Sequence, residues 1–211
     1  MAEDVLEAAS LPASVEQEGA ALRPLPEEKD DTFFMRMALD VAREAMDKGE
    51  VPVGCLLVDR STNAVLARGA NDTNRTCNGT RHCELVAADN VLRERGLEAI
   101  RGCRLYVTLE PCIMCAGALQ LLGVPEVVFG APNARFGGCG GVVAVHGICS
   151  PAGGEGEAVG DAPRKELRGF ECKGGVLGEE AVALLRDFYA EGNPNAPEEK
   201  RHRPLAREQA A

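Results

Sequence analysis

Two short stretches constrain this chain more than any others: His82-Cys83-Glu84 and Pro111-Cys112-Ile113-Met114-Cys115. One imidazole and two thiolates make the donor set of a three-ligand zinc site. A fold that uses them must bring residue 82 against residues 112 and 115. A structural zinc ion is normally closed by a fourth protein ligand, whereas a catalytic one leaves that corner to water. Glu84 follows the histidine closely enough to manage that water's protons. Cys112 and Cys115 are spaced i, i+3, so a helix turns both thiols to one side. Pro111 suits the opening of that helix, where its missing N–H costs nothing. His82 opens another. Two helix N-termini then converge on one cation, and their dipoles favour the thiolate form that zinc needs. Taken singly, a histidine is a core or surface residue, and a Cys-x-x-Cys is a redox pair or a zinc knuckle. Here histidine, glutamate, proline and both cysteines fall in register together, which favours the catalytic reading.

The apolar pattern around these stretches alternates between helix and strand periods. A helix is expected over about 31–48, with Phe33, Met37, Val41 and Ala45 as its apolar face and Gly49 as its stop. Strands are expected at about 52–59 and 64–70, joined by the polar turn 59–63. Residues 71–81 read as a loop, 82–96 as a helix, 104–109 as a strand, and a third helix starts at Pro111. A fourth strand is expected at 124–130, a Gly-rich irregular stretch at 131–141, and an extended segment at 142–149. A fifth strand is expected at 169–173. A last helix is expected at about 178–191, with Val182, Leu185 and Phe188 on one face. Alternating strands and helices indicate an α/β fold, a central mixed sheet of about five strands covered on both faces, in three α/β/α layers. The crossover through the third helix makes the strands on either side of it parallel.

The chain has 211 residues, of which 45% are apolar. That is enough for one well-buried domain plus tails. No apolar run approaches the roughly 18 residues of a membrane span. The N-terminus has neither the basic nor the apolar region of a secretory signal. Nine cysteines, an odd count, argue for a reducing compartment rather than a disulfide framework. The expected location is therefore intracellular, cytoplasmic or nuclear, with no membrane partner. Net charge is −10, but residues 1–30 carry eight acids and two bases, which leaves only −4 on the rest. The chain lacks the global basic signature of a protein that binds RNA unaided. That hints that a partner supplies part of the positive surface. Residues 1–28 read as a disordered acidic tail and 150–165 as a low-complexity, flexible insertion.

The combination resembles the cytidine/deoxycytidylate deaminase superfamily, and within it the tRNA adenosine deaminases. The resemblance is carried by the zinc motif, by residues 50–54 (EVPVG), 69–71 (GAN) and 105–112 (LYVTLEPC), and by 114–118 (MCAGA). Residues 133–140 (NARFGGCG) and 179–195 are similar to the catalytic subunit of the eukaryotic heterodimeric enzymes. The resemblance implies a cytidine-deaminase-like fold over residues 29–195 followed by a basic tail, 196–211. It implies Zn2+ held by His82, Cys112 and Cys115, Glu84 as acid and base, and conversion of adenosine to inosine at the wobble position of tRNA anticodons. The partners implied are tRNA and a related, non-catalytic deaminase subunit. Asn71 would hold the flipped base and its ribose, and Val53 would line the base pocket. Arg135 and Phe136 would meet neighbouring nucleotides. Lys200, Arg201, Arg203 and Arg207 would meet tRNA phosphates. The chain departs from this branch at Cys83, where alanine is usual; one residue along a helix turns the side chain by about 100°, toward the core and away from the ion. Two other readings share these residues: a deaminase of free cytidine, deoxycytidylate or guanine, and a non-catalytic scaffold that binds zinc and tRNA. Glu84 argues against the second.

Overall fold

The computed structural model describes residues 29–148 and 168–190. Helix α1 (Asp31–Asp47) is followed by strands β1 (Gly54–Asp59) and β2 (Val65–Ala70) and by the short helix α2 (Thr73–Thr76). Helices α3 (Cys83–Arg95) and α4 (Leu97–Arg101) lead into β3 (Cys103–Leu109), α5 (Ile113–Leu122) and β4 (Glu126–Ala131). A 3-10 turn (Val145–Gly147), β5 (Glu171–Lys173) and α6 (Gly178–Ala190) complete the described chain. The acidic N-terminal tail, the 150–165 insertion and the basic C-terminal tail lie outside the described residues.

The strands form one mixed sheet in the order β2-β1-β3-β4-β5. β1 runs antiparallel to β2 and β3, while β3, β4 and β5 run parallel. The β3–α5–β4 crossover is thus the expected parallel unit. Period-two alternation sends the strands' apolar residues into two cores. Leu56, Val58, Tyr106 and Val128 pack on Phe34, Met35, Ala38 and Val41 of α1. Cys55, Leu57, Leu105, Val107 and Val127 face the opposite layer of α3, α4 and α5. Burial on both faces is why the strands read as nearly unbroken apolar runs. Gly69 lets α3 come close to β2: a Cβ there would stand 2.1 Å from the Cys83 carbonyl oxygen.

Several expectations shift. The buried face of α1 centres on Phe34, Met35, Ala38 and Leu39, with Phe33 and Met37 at its half-buried edge. In α6 it is Ala181 and Phe188 that are buried, and Val182 is exposed. Helix α5 starts after Pro111: Cys112, at φ −67° and ψ 167°, is its N-cap. Residues 71–81 contain a helical turn, because the buried Glu50 carboxylate accepts the Asn74 and Arg75 N–H groups at 3.0 and 2.8 Å. A carboxylate distant in sequence satisfies donors that a short helix start leaves orphaned. The segment expected to be extended from 142 contains a 3-10 turn, where Gln120 on α5 donates to the Val145 carbonyl. Helix α4, between α3 and β3, was not expected from the sequence.

Candidate metal centre and active-site pocket

His82 is the N-cap of α3 and Cys112 the N-cap of α5. Cap positions usually carry Ser, Thr, Asp or Asn, whose side chains accept the first N–H groups of the helix. Neither residue makes such a bond here. Neighbouring chain does the capping instead. The Asn71 Oδ1 accepts the Cys83 N–H at 2.9 Å, and the Phe136 carbonyl accepts the Ile113 N–H at 2.9 Å. Both N-cap side chains are thereby left free to meet between the helices.

They meet at ligand distance. His82 Nδ1 lies 3.6 Å from Cys112 Sγ and 3.5 Å from Cys115 Sγ. Zinc–nitrogen and zinc–sulfur bonds of about 2.1 and 2.3 Å at a tetrahedral angle span roughly 3.6 Å, so the spacing fits a zinc ion. Hydrogen bonds from Cys115, and then from His82, pull the Cys112 thiol down to about 4 despite its partial burial. That favours the thiolate form a zinc ligand needs, and the hydrogen bond with Cys112 in turn raises the His82 imidazole's pKa.

Glu84, only 3% exposed, lines the same pocket. Burial pushes its carboxyl above the ordinary carboxylate range. Its Oε2 accepts from the Cys83 thiol at 3.2 Å. Cys83 itself is fully buried in the core beneath α3. The residue that departs from the usual pattern thus contacts the glutamate rather than the ligand cluster.

The pocket has a volume of about 520 Å³. Val53 and Asn71 form one wall, Asn133 and Phe136 the other, and Tyr189 of α6 the rim. The Asn71 carbonyl oxygen is used by α3, which leaves its amide N–H groups for a ligand. Phe136 is 54% exposed, and the Arg135 guanidinium sits 5.0 Å from its ring centre. Arg135 itself is exposed and is not among the lining residues. Lys200, Arg201, Arg203 and Arg207 lie outside the described residues.

Sequence reasoning passed over the two carboxylates that hold these walls. Glu50 anchors the wall next to Asn71 through the turn at Thr73–Thr76. Glu110, 2% exposed, accepts the N–H groups of Asn133, Cys139 and Gly141 at 2.8–2.9 Å. The Gly-rich stretch is irregular because it wraps this carboxylate. A Cβ at Gly137 or Gly141 would come within 2.5 Å of a Glu110 oxygen. An acid directly after a buried apolar strand was the available signal, but the Gly-rich stretch it holds starts about twenty residues further on.

The zinc-binding region of cytidine and deoxycytidylate deaminases matches residues 28–131. The chain is 43% identical to the tRNA-specific adenosine deaminase 2 of Xenopus laevis, over 85% of this chain and 97% of that protein. It is 36% identical to the tRNA-specific adenosine deaminase subunit tad2 of Schizosaccharomyces pombe, over 83% of this chain and 42% of that protein. Among solved structures, one from studies of A-to-I editing by tRNA:A34 deaminases superposes with a TM-score of 0.61 at 28% identity, over 73% of this chain and 99% of that one. The guanine deaminase of Nitrosomonas europaea shares the fold, with a TM-score of 0.55 at 22% identity over 74% of this chain and 83% of that one. With its ligand cluster, buried glutamate and five-stranded sheet all in place, the chain belongs to the cytidine and deoxycytidylate deaminase family, in its tRNA-specific adenosine deaminase 2 group.

Proposed function

We propose that this chain catalyses hydrolytic deamination of adenosine to inosine at the wobble position of tRNA anticodons, as the zinc-bearing subunit of a heterodimer. The observation that supports the chemistry most directly is the buried Glu84 carboxyl sharing one pocket with His82, Cys112 and Cys115. Similarity to the Xenopus protein along nearly its whole length supports the substrate. The word "subunit" in the name of the S. pombe relative supports the partner.

His82, Cys112 and Cys115 would hold the ion. A zinc ion in such a site supplies a water ligand whose pKa falls from 15.7 to about 7. Glu84 takes a proton from the attacking water and gives it to the ring nitrogen beside the amine-bearing carbon. That protonation makes an otherwise poor electrophile open to attack. Glu84 then carries a second proton to the departing amine, so water is consumed, ammonia leaves and a carbonyl remains. A carboxyl held above its ordinary range by burial suits both halves of this traffic. The Asn71 amide N–H groups face the base as donors, and Val53 packs against its plane. Phe136 offers a ring for a neighbouring unstacked base, with Arg135 above it for phosphate or stacking. A base reaches such a pocket only when flipped out of its stack. The basic residues of 200–207 add phosphate contacts that weaken with salt.

The chain is tested alone and co-expressed with candidate related subunits, on a tRNA carrying a wobble adenosine and on free adenosine, cytidine and guanine. Inosine in the tRNA, formed only with a partner, is the expected result. Turnover of a free base or nucleoside with none in the tRNA would replace this reading with that of a small-molecule deaminase.

A further inference from the structure

Cys139, His146 and Cys172 each bring one ligand atom to within 4.8 Å of the other two. They arrive from three separate pieces of chain. Cys139 sits in the Gly-rich stretch, fixed by its N–H to Glu110. His146 sits in the 3-10 turn, whose first residue, Val145, accepts from Gln120 on α5, and its own carbonyl accepts the Phe170 N–H at 3.2 Å. Cys172 sits on β5 in register with Val127. His146 Nδ1 is buried and has no hydrogen-bond partner. A buried polar atom left so costs about 1–3 kcal/mol, and a bound ion is one way such an atom is satisfied.

A disulfide between the two cysteines would leave this nitrogen as it is. A cation bound by both sulfurs and the imidazole satisfies all three donors at once, and two thiolates with one imidazole select zinc over harder ions. We infer that Cys139, His146 and Cys172 form a second zinc site, one that departs from the usual four-protein-ligand structural site by leaving its fourth corner to solvent, and whose role is attachment rather than reaction. It lacks a free carboxylate to manage a proton: both oxygens of Glu110, the acid beside Cys139, are occupied by backbone N–H groups. The ion pins the back of the 133–147 segment to β5. That segment carries Asn133 and Phe136, so the second ion stiffens one wall of the pocket from behind.

The test uses the purified full chain, loaded with Zn2+ or Co2+ and dialysed free of excess. Metal content is measured by plasma mass spectrometry, and thiolate ligation by the Co2+ charge-transfer absorption. About two ions per chain are expected, falling to about one in Cys172→Ser and in His146→Ala, with the thiolate band of the remaining site intact. His146→Ala alters a half-buried turn residue and keeps the question open to measurement if the serine variant fails to fold. Cys112→Ser removes the pocket ion and should leave the second one, which separates failure of this site from failure of the catalytic reading. Three results would overturn the inference. They are one ion in the unaltered chain with one also in His146→Ala, equal metal in the variants and the parent, or a reductant-sensitive Cys139–Cys172 disulfide found by peptide mass mapping.

Discussion

The two Cys2His clusters of this protein are chemically alike and built in opposite ways. His82, Cys112 and Cys115 sit at the starts of two long helices, which are themselves capped by Asn71 and by the Phe136 carbonyl. Cys139, His146 and Cys172 sit on a turn, a 3-10 segment and a three-residue edge strand. The helical cluster has a buried carboxyl beside it with its pKa raised, whereas the turn cluster has a carboxylate saturated by three amides. On the proposed reading, the same donor atoms would serve reaction in one place and attachment in the other. What separates the two is whether the neighbouring acid still has an oxygen to spare.

That contrast is sharpest in the two glutamates. Glu84→Gln should lower inosine formation by about 10²–10⁴-fold with zinc content and fold unchanged. Rates near those of the parent would mean that another group carries the proton, and the distinction between the acids would fail. Glu110→Ala should do the reverse and act first on stability. It strands three N–H groups, of which that of Cys139 is buried, and should cost roughly 2–5 kcal/mol in denaturant unfolding. An unfolding midpoint equal to the parent's would show that the Gly-rich wall holds itself.

The smallest effect tests how β5 is held. Asp31, at the start of α1, pairs with Lys173 next to Cys172 and accepts from the Tyr106 hydroxyl at 2.8 Å. Partial burial alone would raise its pKa, but hydrogen bonds from Lys173 and Tyr106 bring the net result below 3.8. A depressed carboxylate contributes stability above its unfolded value and loses it as pH falls through the folded one. Asp31→Asn should thus cost under about 1 kcal/mol near neutrality, because the lysine is largely exposed. The difference should vanish in thermal melts taken well below pH 3.8. A difference that persisted there would point to a loss other than charge.

Residues 82, 84, 112 and 115 were legible in the sequence because helix geometry fixes i, i+3 neighbours and helix starts favour thiolates. The sheet was legible because alternation and apolar runs report burial directly. The short helices α2 and α4 and the 3-10 turn were not. Where α2 forms, its N–H groups are satisfied by Glu50, more than twenty residues earlier, and no local pattern encodes that partner. The start of α5 slipped past Pro111 for a similar reason: the Ile113 N–H had an acceptor waiting in the Phe136 carbonyl.

By itself the sequence singled out the candidate ligands of the first cluster, the acid near His82 and the layered order of strands and helices, since these depend on local motifs and on the periodicity of each element. Only the tertiary structure decided which oxygen atoms are spent and which remain available. It closed Glu110 with three amides, left Glu84 open to the pocket, turned the Asn71 carbonyl to a helix, and gathered Cys139, His146 and Cys172 from three places. The reason is that hydrogen-bond saturation is a property of neighbours in space, and the neighbours that matter here are far apart along the chain.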